Sequence, residues 1–405
     1  MIHISNARAI SGETRELVIP SAQNLELDAA GLTVFPGLID PHVHFRTPGL
    51  EHKEDWRTAA RAAIYGGYTT VFDMPNTLPP TITAERLREK KALIDSQLLE
   101  AGVPLRYQLF FGADKQHLDQ IPAVKDAVVG IKVFMGCSTG NLVIDDDESL
   151  HAVFEVAAQN QLLVAVHAED EARMHERNQQ FQGSKNYHDH SAIRDVEVAT
   201  RAVEKAISLT RQYGTRLYLL HLSTREELAL VKQAKNAGLP VYAETTPHHL
   251  FLNEDCYPAL QGRAVVNPPL RRAEQNSALF EAIQSGLIDT VGSDHAPHTT
   301  VEKAKPYGEC PSGMPGIETT LPLLLTAYHQ GQLTLEQIQR LTSSRAQEIF
   351  KLSQTEDVVL VDLNKKAEVS PQQLQTKCAW SAFAGKVLQG WPVYTILRGT
   401  CFHLI

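Results

Sequence analysis

The chain has 405 residues, 43% of them hydrophobic and 21% charged, and a formal net charge of −9. This is globular composition, and no apolar stretch approaches the roughly 20 residues that a membrane helix needs. An acidic balance without a basic run argues against nucleic acid as the main partner, because neutralising phosphates takes clustered Lys and Arg; the expected ligand is a small molecule. The opening MIHISNARAI shows neither an export nor a transit pattern, so a cytoplasmic location is expected.

In chain order, residues 1–33 carry short β-type runs such as Leu17–Ile19, broken by turn residues. From about residue 34 the pattern changes to short apolar runs alternating with longer helical stretches, the signature of a parallel α/β sheet. The strand-like runs are Leu38–His42, Thr69–Asp73, Leu105–Phe111, Gly130–Phe134, Leu162–His167, Leu217–His221, Pro240–Thr245 and Asp289–Ser293. The helix-like segments are Asp55–Tyr65, Ala84–Ala101, Glu148–Asn160, Val196–Tyr213, Arg225–Ala237 and Glu274–Ser285. Eight strands with intervening helices predict a (β/α)8 TIM-type barrel over residues 34–352, whose functional groups gather at the C-terminal strand ends. Residues 353–405 return to β-rich runs, Val358–Val361 and Val393–Leu397, and are expected to join residues 1–33 in a small β-sandwich domain.

Chemistry-bearing residues fall at those strand ends. In Asp40-Pro41-His42-Val43-His44-Phe45-Arg46, residues two apart on an extended strand share a side, so His42 and His44 can converge on one ion while Val43 faces away. An isolated HxH pair is a weak signal. It gains weight from Lys132 in GIKVF, His167 in VHAE, His221 in LHLS and Asp294 in GSDHAPH, each following an apolar strand. Four histidines, a carboxylate and a lysine supply the mixed N/O ligand set that zinc accepts. A protonated lysine repels a cation, so Lys132 is either a solvated strand-end charge or a buried amine. A buried amine has a lowered pKa and can add CO2, becoming a bridging carbamate.

Five scattered cysteines (Cys137, Cys256, Cys310, Cys378, Cys401) form no CxxC pair, which argues against a disulfide framework or a thiolate zinc site. His248 and His249 are read as residues that orient others, Asp145–Asp147 as a solvated helix N-terminus favoured by the dipole, and Asp73 as a strand end to which no role is assigned.

The ordered set DPHVHFRTPG, DMPNTLPP, GIKVFMG, VHAED, HLST, ETTPHHL, NPPLR, GSDHAPH and PSGMPGIETT resembles the dihydroorotase branch of the cyclic amidohydrolases from about residue 34 to 350. A weaker echo lies in Ser381-Ala382-Phe383-Ala384-Gly385-Lys386. The resemblance implies two divalent metal ions of zinc type, one held by His42, His44, carboxylated Lys132 and Asp294, the other by Lys132, His167 and His221. It implies Asp294 as general base and acid in the reversible closure of N-carbamoyl-L-aspartate to L-dihydroorotate, a step of pyrimidine biosynthesis. Dihydroorotate carries a carboxylate that hydantoin, dihydropyrimidine and allantoin lack, and a guanidinium grips such a group bidentately. Arg46, two residues beyond His44, lies where such a clamp reaches. The resemblance adds Asn76 and His298 to that carboxylate, sets His44 beside the substrate, and brings Asn267 and the Ser312-Gly313 loop to the ring. That loop departs from relatives in detail.

Three alternatives stay open. A sibling hydantoinase, dihydropyrimidinase or allantoinase would share the metal set, and Arg46 speaks against it. A barrel kept only as a non-catalytic partner would have lost ligands, whereas all six positions are filled. A homo-oligomer, or an enzyme docked onto aspartate transcarbamoylase, is neither supported nor opposed by the sequence.

Overall fold

The computed structural model describes residues 1–136 and 142–404; Cys137 lies outside the described residues. The N-terminal segment supplies β1 (Ile2–Ala9), β2 (Thr14–Ile19), β3 (Leu25–Asp28) and β4 (Thr33–Pro36), and the C-terminal segment β13 (Val358–Glu368), β14 (Val387–Leu397) and β15 (Thr400–His403). These form one mixed seven-stranded sheet in the order β15-β14-β13-β4-β1-β2, with β3 also pairing β1. In β1 the buried positions alternate with exposed ones, Ile2 and Ile4 facing inward, as expected of a sheet with one wet face. The antiparallel pairing of β4 with β13, Val34 opposite Leu360, ties the two ends of the chain together.

Between them, eight parallel strands follow sequence order: β5 (Leu38–Val43), β6 (Tyr68–Asp73), β7 (Arg106–Gly112), β8 (Gly130–Phe134), β9 (Leu163–His167), β10 (Arg216–Leu219), β11 (Val241–Thr245) and β12 (Thr290–Val291). The ring is drawn together where Val43 bridges His295 and the His44 amide donates to the His295 carbonyl at 2.8 Å. This is a (β/α)8 TIM-type barrel. Its strands are buried on both faces, which explains why they read as continuous apolar runs and not as alternating ones.

The six helix-like segments are helices within one residue of their expected bounds. Capping explains the precision. Thr83 accepts from the Arg86 amide to start Ala84–Ala101, and Gly102 ends it at φ +66°. Asp195 and Gly214 do the same for Val196–Tyr213. Inside the barrel, Ile39, Phe72, Phe110, Leu163 and Tyr218 pack together, and Phe350 from helix Arg345–Phe350 closes the cluster, its ring edge-on to Phe72 at 4.7 Å. The short β12 is pinned by Asp289, which accepts from the Ala243 amide (2.8 Å) and the Arg345 guanidinium (2.9 Å) and pairs with Lys235 (2.5 Å). No helix among the described residues is long and apolar enough to cross a membrane.

Candidate metal centre and anion clamp

Five of the sequence-derived positions stand at or just past strand ends, His42 and His44 from β5, His167 at the end of β9, His221 after β10 and Asp294 after β12, and Lys132 stands in the middle of β8. All are buried. His221 and Asp294, like Arg46, hold left-handed backbone at φ +40°, +45° and +66°. Such strain in non-glycine residues persists only where the surroundings over-determine it, and it turns each side chain as its strand ends.

Two imidazoles converge on one carboxylate oxygen: His42 Nε2 and His44 Nε2 each lie 3.3 Å from Asp294 Oδ1. Their other nitrogens are spoken for, His42 Nδ1 donating to Glu244 Oε1 and His44 Nδ1 to Asn76 Oδ1, both at 2.8 Å. In that tautomer each Nε2 presents a lone pair to Asp294. Burial pushes both imidazoles down to about 4, which keeps them neutral near pH 7. Acceptors therefore face an acceptor, an arrangement that a cation resolves. The spacing agrees: tetrahedral ligands about 2.0–2.1 Å from zinc stand roughly 3.4 Å apart. His42, His44 and Asp294 also form a metal-type group whose ligand atoms lie within 4.8 Å of one another.

Next to it, His167 Nδ1 and His221 Nε2 face each other at 2.9 Å, while His167 Nε2 donates to Glu169 Oε2 at 2.8 Å. Burial holds both rings below their ordinary range. Glu169 is anchored by Arg194; burial alone would raise its carboxyl, and Arg194, His167 and Arg271 together hold it down at about 2. Lys132, 1% exposed, has its amine 4.5 Å above the Phe134 ring centre, and burial pushes it down to about 7. A substantial fraction of its amine is then neutral at physiological pH, the form that adds CO2.

Several supporting groups escaped the sequence reading. Glu244 takes His42 on one oxygen and the Tyr218 hydroxyl on the other at 2.8 Å, and burial pushes it up to about 8. Asp40 accepts from the amides of His42 (3.1 Å) and Ser293 (3.0 Å), joining β5 to the β12 end. An acid inside an otherwise apolar strand, as in Val241–Thr245, was the available signal, since a buried carboxylate requires a partner. Asp73, to which the sequence assigned no role, accepts from the Phe45 amide at 2.7 Å and pairs with buried Lys90 at 2.5 Å.

Beside the acceptor cluster lies a group of donors. Arg46, 3% exposed, donates from Nε to the Pro297 carbonyl at 3.0 Å and brings Nη2 within 3.1 Å of His298 Nε2. His298 also meets Lys53 and the Ser312 carbonyl. Gly313, at φ +131°, presses against this wall: a Cβ there would fall 2.6 Å from the Ala296 carbonyl oxygen. Asn267 is held on its own side by His190, Nε2 to Oδ1 at 3.1 Å. Away from the cluster, His249 donates to the Pro268 carbonyl, and Asp146 caps helix Asp147–Gln159 by accepting from the Ser149 amide.

Known proteins share this plan. A profile of the amidohydrolase family matches residues 33–370. A dihydroorotase of Halobacterium salinarum is 37% identical over 381 residues, 92% of this chain and 86% of the relative, and one of Methanosphaera stadtmanae is 31% identical over 98% and 92%. Among solved structures, the L-hydantoinase (dihydropyrimidinase) of Arthrobacter aurescens superposes with a TM-score of 0.91 at 28% identity, covering 99% of this chain and 95% of that one. A profile match running through every barrel strand, with relatives aligned over nearly the whole length, means that the chain belongs to the amidohydrolase family.

Proposed function

We propose that this chain is a dihydroorotase that interconverts N-carbamoyl-L-aspartate and L-dihydroorotate in pyrimidine biosynthesis. The observation that carries the reading is the buried Arg46 guanidinium, in contact with His298 and close enough to His44 and Asp294 of the cluster to interact electrostatically with both. A neutral ring has no use for a buried guanidinium there, whereas a substrate carboxylate accepts from Arg46 and His298.

The residues fit two divalent ions, zinc being the ion that suits the ligand set. His42, His44 and Asp294 would hold one, His167 and His221 the other, and a carbamate on Lys132 would bridge them. Bound metal lowers the pKa of water from about 15.7 towards about 7 and polarises a carbonyl. Asp294 takes the proton of the attacking water and returns it to the departing ring nitrogen, and in the synthetic direction the same two transfers run backwards. Arg46, His298 and Asn76 hold the carboxylate, which orients the ring amide towards Asp294; Asn267 and the Ser312-Gly313 loop border the ring.

A hydantoinase-type activity is the second reading, favoured by the 0.91 TM-score to an L-hydantoinase. Turnover of dihydroorotate, N-carbamoyl-aspartate, hydantoin and allantoin by the purified protein, with a metal count per chain, separates the two. Preference for a neutral ring would overturn the dihydroorotase reading.

A further inference from the structure

His298 stands between two cationic side chains, and its contacts favour one tautomer over the other. Its Nδ1 lies 3.0 Å from Lys53 Nζ, and its Nε2 lies 2.9 Å from the Ser312 carbonyl oxygen and 3.1 Å from Arg46 Nη2. Burial, with Arg46 and Lys53 adding to it, holds the imidazole far below its ordinary range, so the ring is neutral and carries a single proton. With that proton on Nδ1, an N–H would face the Lys53 ammonium and a lone pair would face the Ser312 carbonyl, two repulsive contacts. With it on Nε2, the Lys53 ammonium donates to Nδ1 and Nε2–H donates to Ser312. Lys53 itself is fixed: Nζ pairs with Glu302 Oε1 at 3.0 Å, and Glu302 is locked by a reciprocal capping box with Thr299. The Lys53 side chain is 10% exposed.

This tautomer turns the Arg46–His298 contact into donor against donor at 3.1 Å. Such a pair is satisfied by an anionic oxygen that accepts from both. We infer that Lys53 is a positioning residue for substrate selection: through Nδ1 it keeps the proton of His298 on Nε2, and so keeps Arg46 and His298 together as a two-donor receptor for a carboxylate. Without the Lys53 ammonium, His298 moves its proton to Nδ1, and Nε2 accepts from Arg46. The receptor then closes on itself. The inference rests on the carboxylate-clamp reading of Arg46 and His298 for its consequence, though not for its tautomer.

The test uses the metal-loaded protein labelled with 15N-histidine, His298 signals being identified by their loss in His298→Gln. Wild type is expected to show a protonated Nε2 and a bare Nδ1, and Lys53→Met to show proton density moving to Nδ1. In steady state, Lys53→Met should raise KM for dihydroorotate by roughly 10- to 100-fold, as expected for one charge-assisted hydrogen bond, with kcat moving by less than about threefold. Lys53→Arg, which also donates, should keep KM within about threefold of wild type. A wild-type His298 protonated on Nδ1, an Nε2 proton retained in Lys53→Met, an unchanged KM, or equal losses in the Met and Arg variants would each overturn the inference. Should Lys53→Met not fold, the wild-type tautomer and the Arg variant decide it. A wild type that ignores dihydroorotate refutes the proposed function instead, and the histidine signals then decide the role of Lys53 alone.

Discussion

Truncating Arg46 to Ala separates a folding contribution from a binding one, because the two differ in size. In the free protein the guanidinium makes one hydrogen bond with a fitting acceptor, Nε to the Pro297 carbonyl at 3.0 Å, worth about 1 kcal/mol of stability. The left-handed backbone at φ +66° is as unfavourable for Ala as for Arg, so its strain cancels in the comparison. Against a substrate carboxylate in a nearly dry site, the same group forms a charged pair, and removing one partner of such a pair costs about 3–5 kcal/mol. The expected result is a cooperatively folding variant with full metal content whose kcat/KM for dihydroorotate falls by roughly 10²–10⁴. Arg46→Lys should recover little, since a point charge does not reproduce the planar fork. Steady-state kinetics on dihydroorotate beside a neutral ring, with metal analysis and a denaturation curve, measure all three quantities. Undiminished turnover of dihydroorotate by Arg46→Ala would refute the clamp while leaving the metal argument standing.

Other expectations follow from the same geometry. His42→Ala and His221→Ala should lose bound metal and turnover together, and full activity of either in metal-free form would contradict the ligand assignment. Chelation should abolish activity and added divalent zinc should restore it; activity indifferent to the chelator would contradict a metal centre. Lys132→Ala should be nearly inactive and partly rescued by small carboxylic acids, whereas an unmodified lysine mass in active, metal-loaded enzyme would exclude the carbamate. Asp289→Ala strands Lys235 and Arg345 beside β12 and should destabilise the fold by about 3–5 kcal/mol in denaturant titration, and a shift under about 1 kcal/mol would show that the barrel closure does not depend on it.

The barrel was legible because its two signals are local. Strands buried on both faces read as apolar runs, and helices such as Ala84–Ala101 announce their ends with Thr83 and Gly102. The helices that went unread lack the periodicity that burial on one face creates. Glu171–Gln180 buries only Met174, and Thr320–His329 is buried nearly all round and carries Pro322 in its first turn. At the site, His42, His44, His167, His221, Lys132 and Asp294 were readable because each lies in or just after an apolar run. Their supports were not: Glu244, Glu169 and Lys53 act across 202, 2 and 245 positions of sequence, and only the closed barrel brings the distant ones into contact. The left-handed backbone at Arg46, His221 and Asp294 has no compositional mark, since none of them is glycine.

The two halves of the site have opposite polarity, and one stretch of chain, just past β5, contributes to both. His44 faces acceptors and Arg46, two residues on, faces a donor, so the position that calls for a cation and the position that calls for an anion are set a short distance apart by the backbone just past β5. Selectivity then follows without any steric exclusion of smaller rings. A ring lacking a carboxylate would leave the Arg46 and His298 donors buried against each other, and a buried donor without its partner costs about 1–3 kcal/mol. Sites that hydrogen-bond a substrate group reject analogues missing it far more strongly than apolar pockets reject a missing methylene. Under the proposed function the barrel shared with a hydantoinase says little about substrate, because the discrimination would sit in Arg46, His298 and the Lys53 that orders them, side chains that a backbone superposition does not weigh.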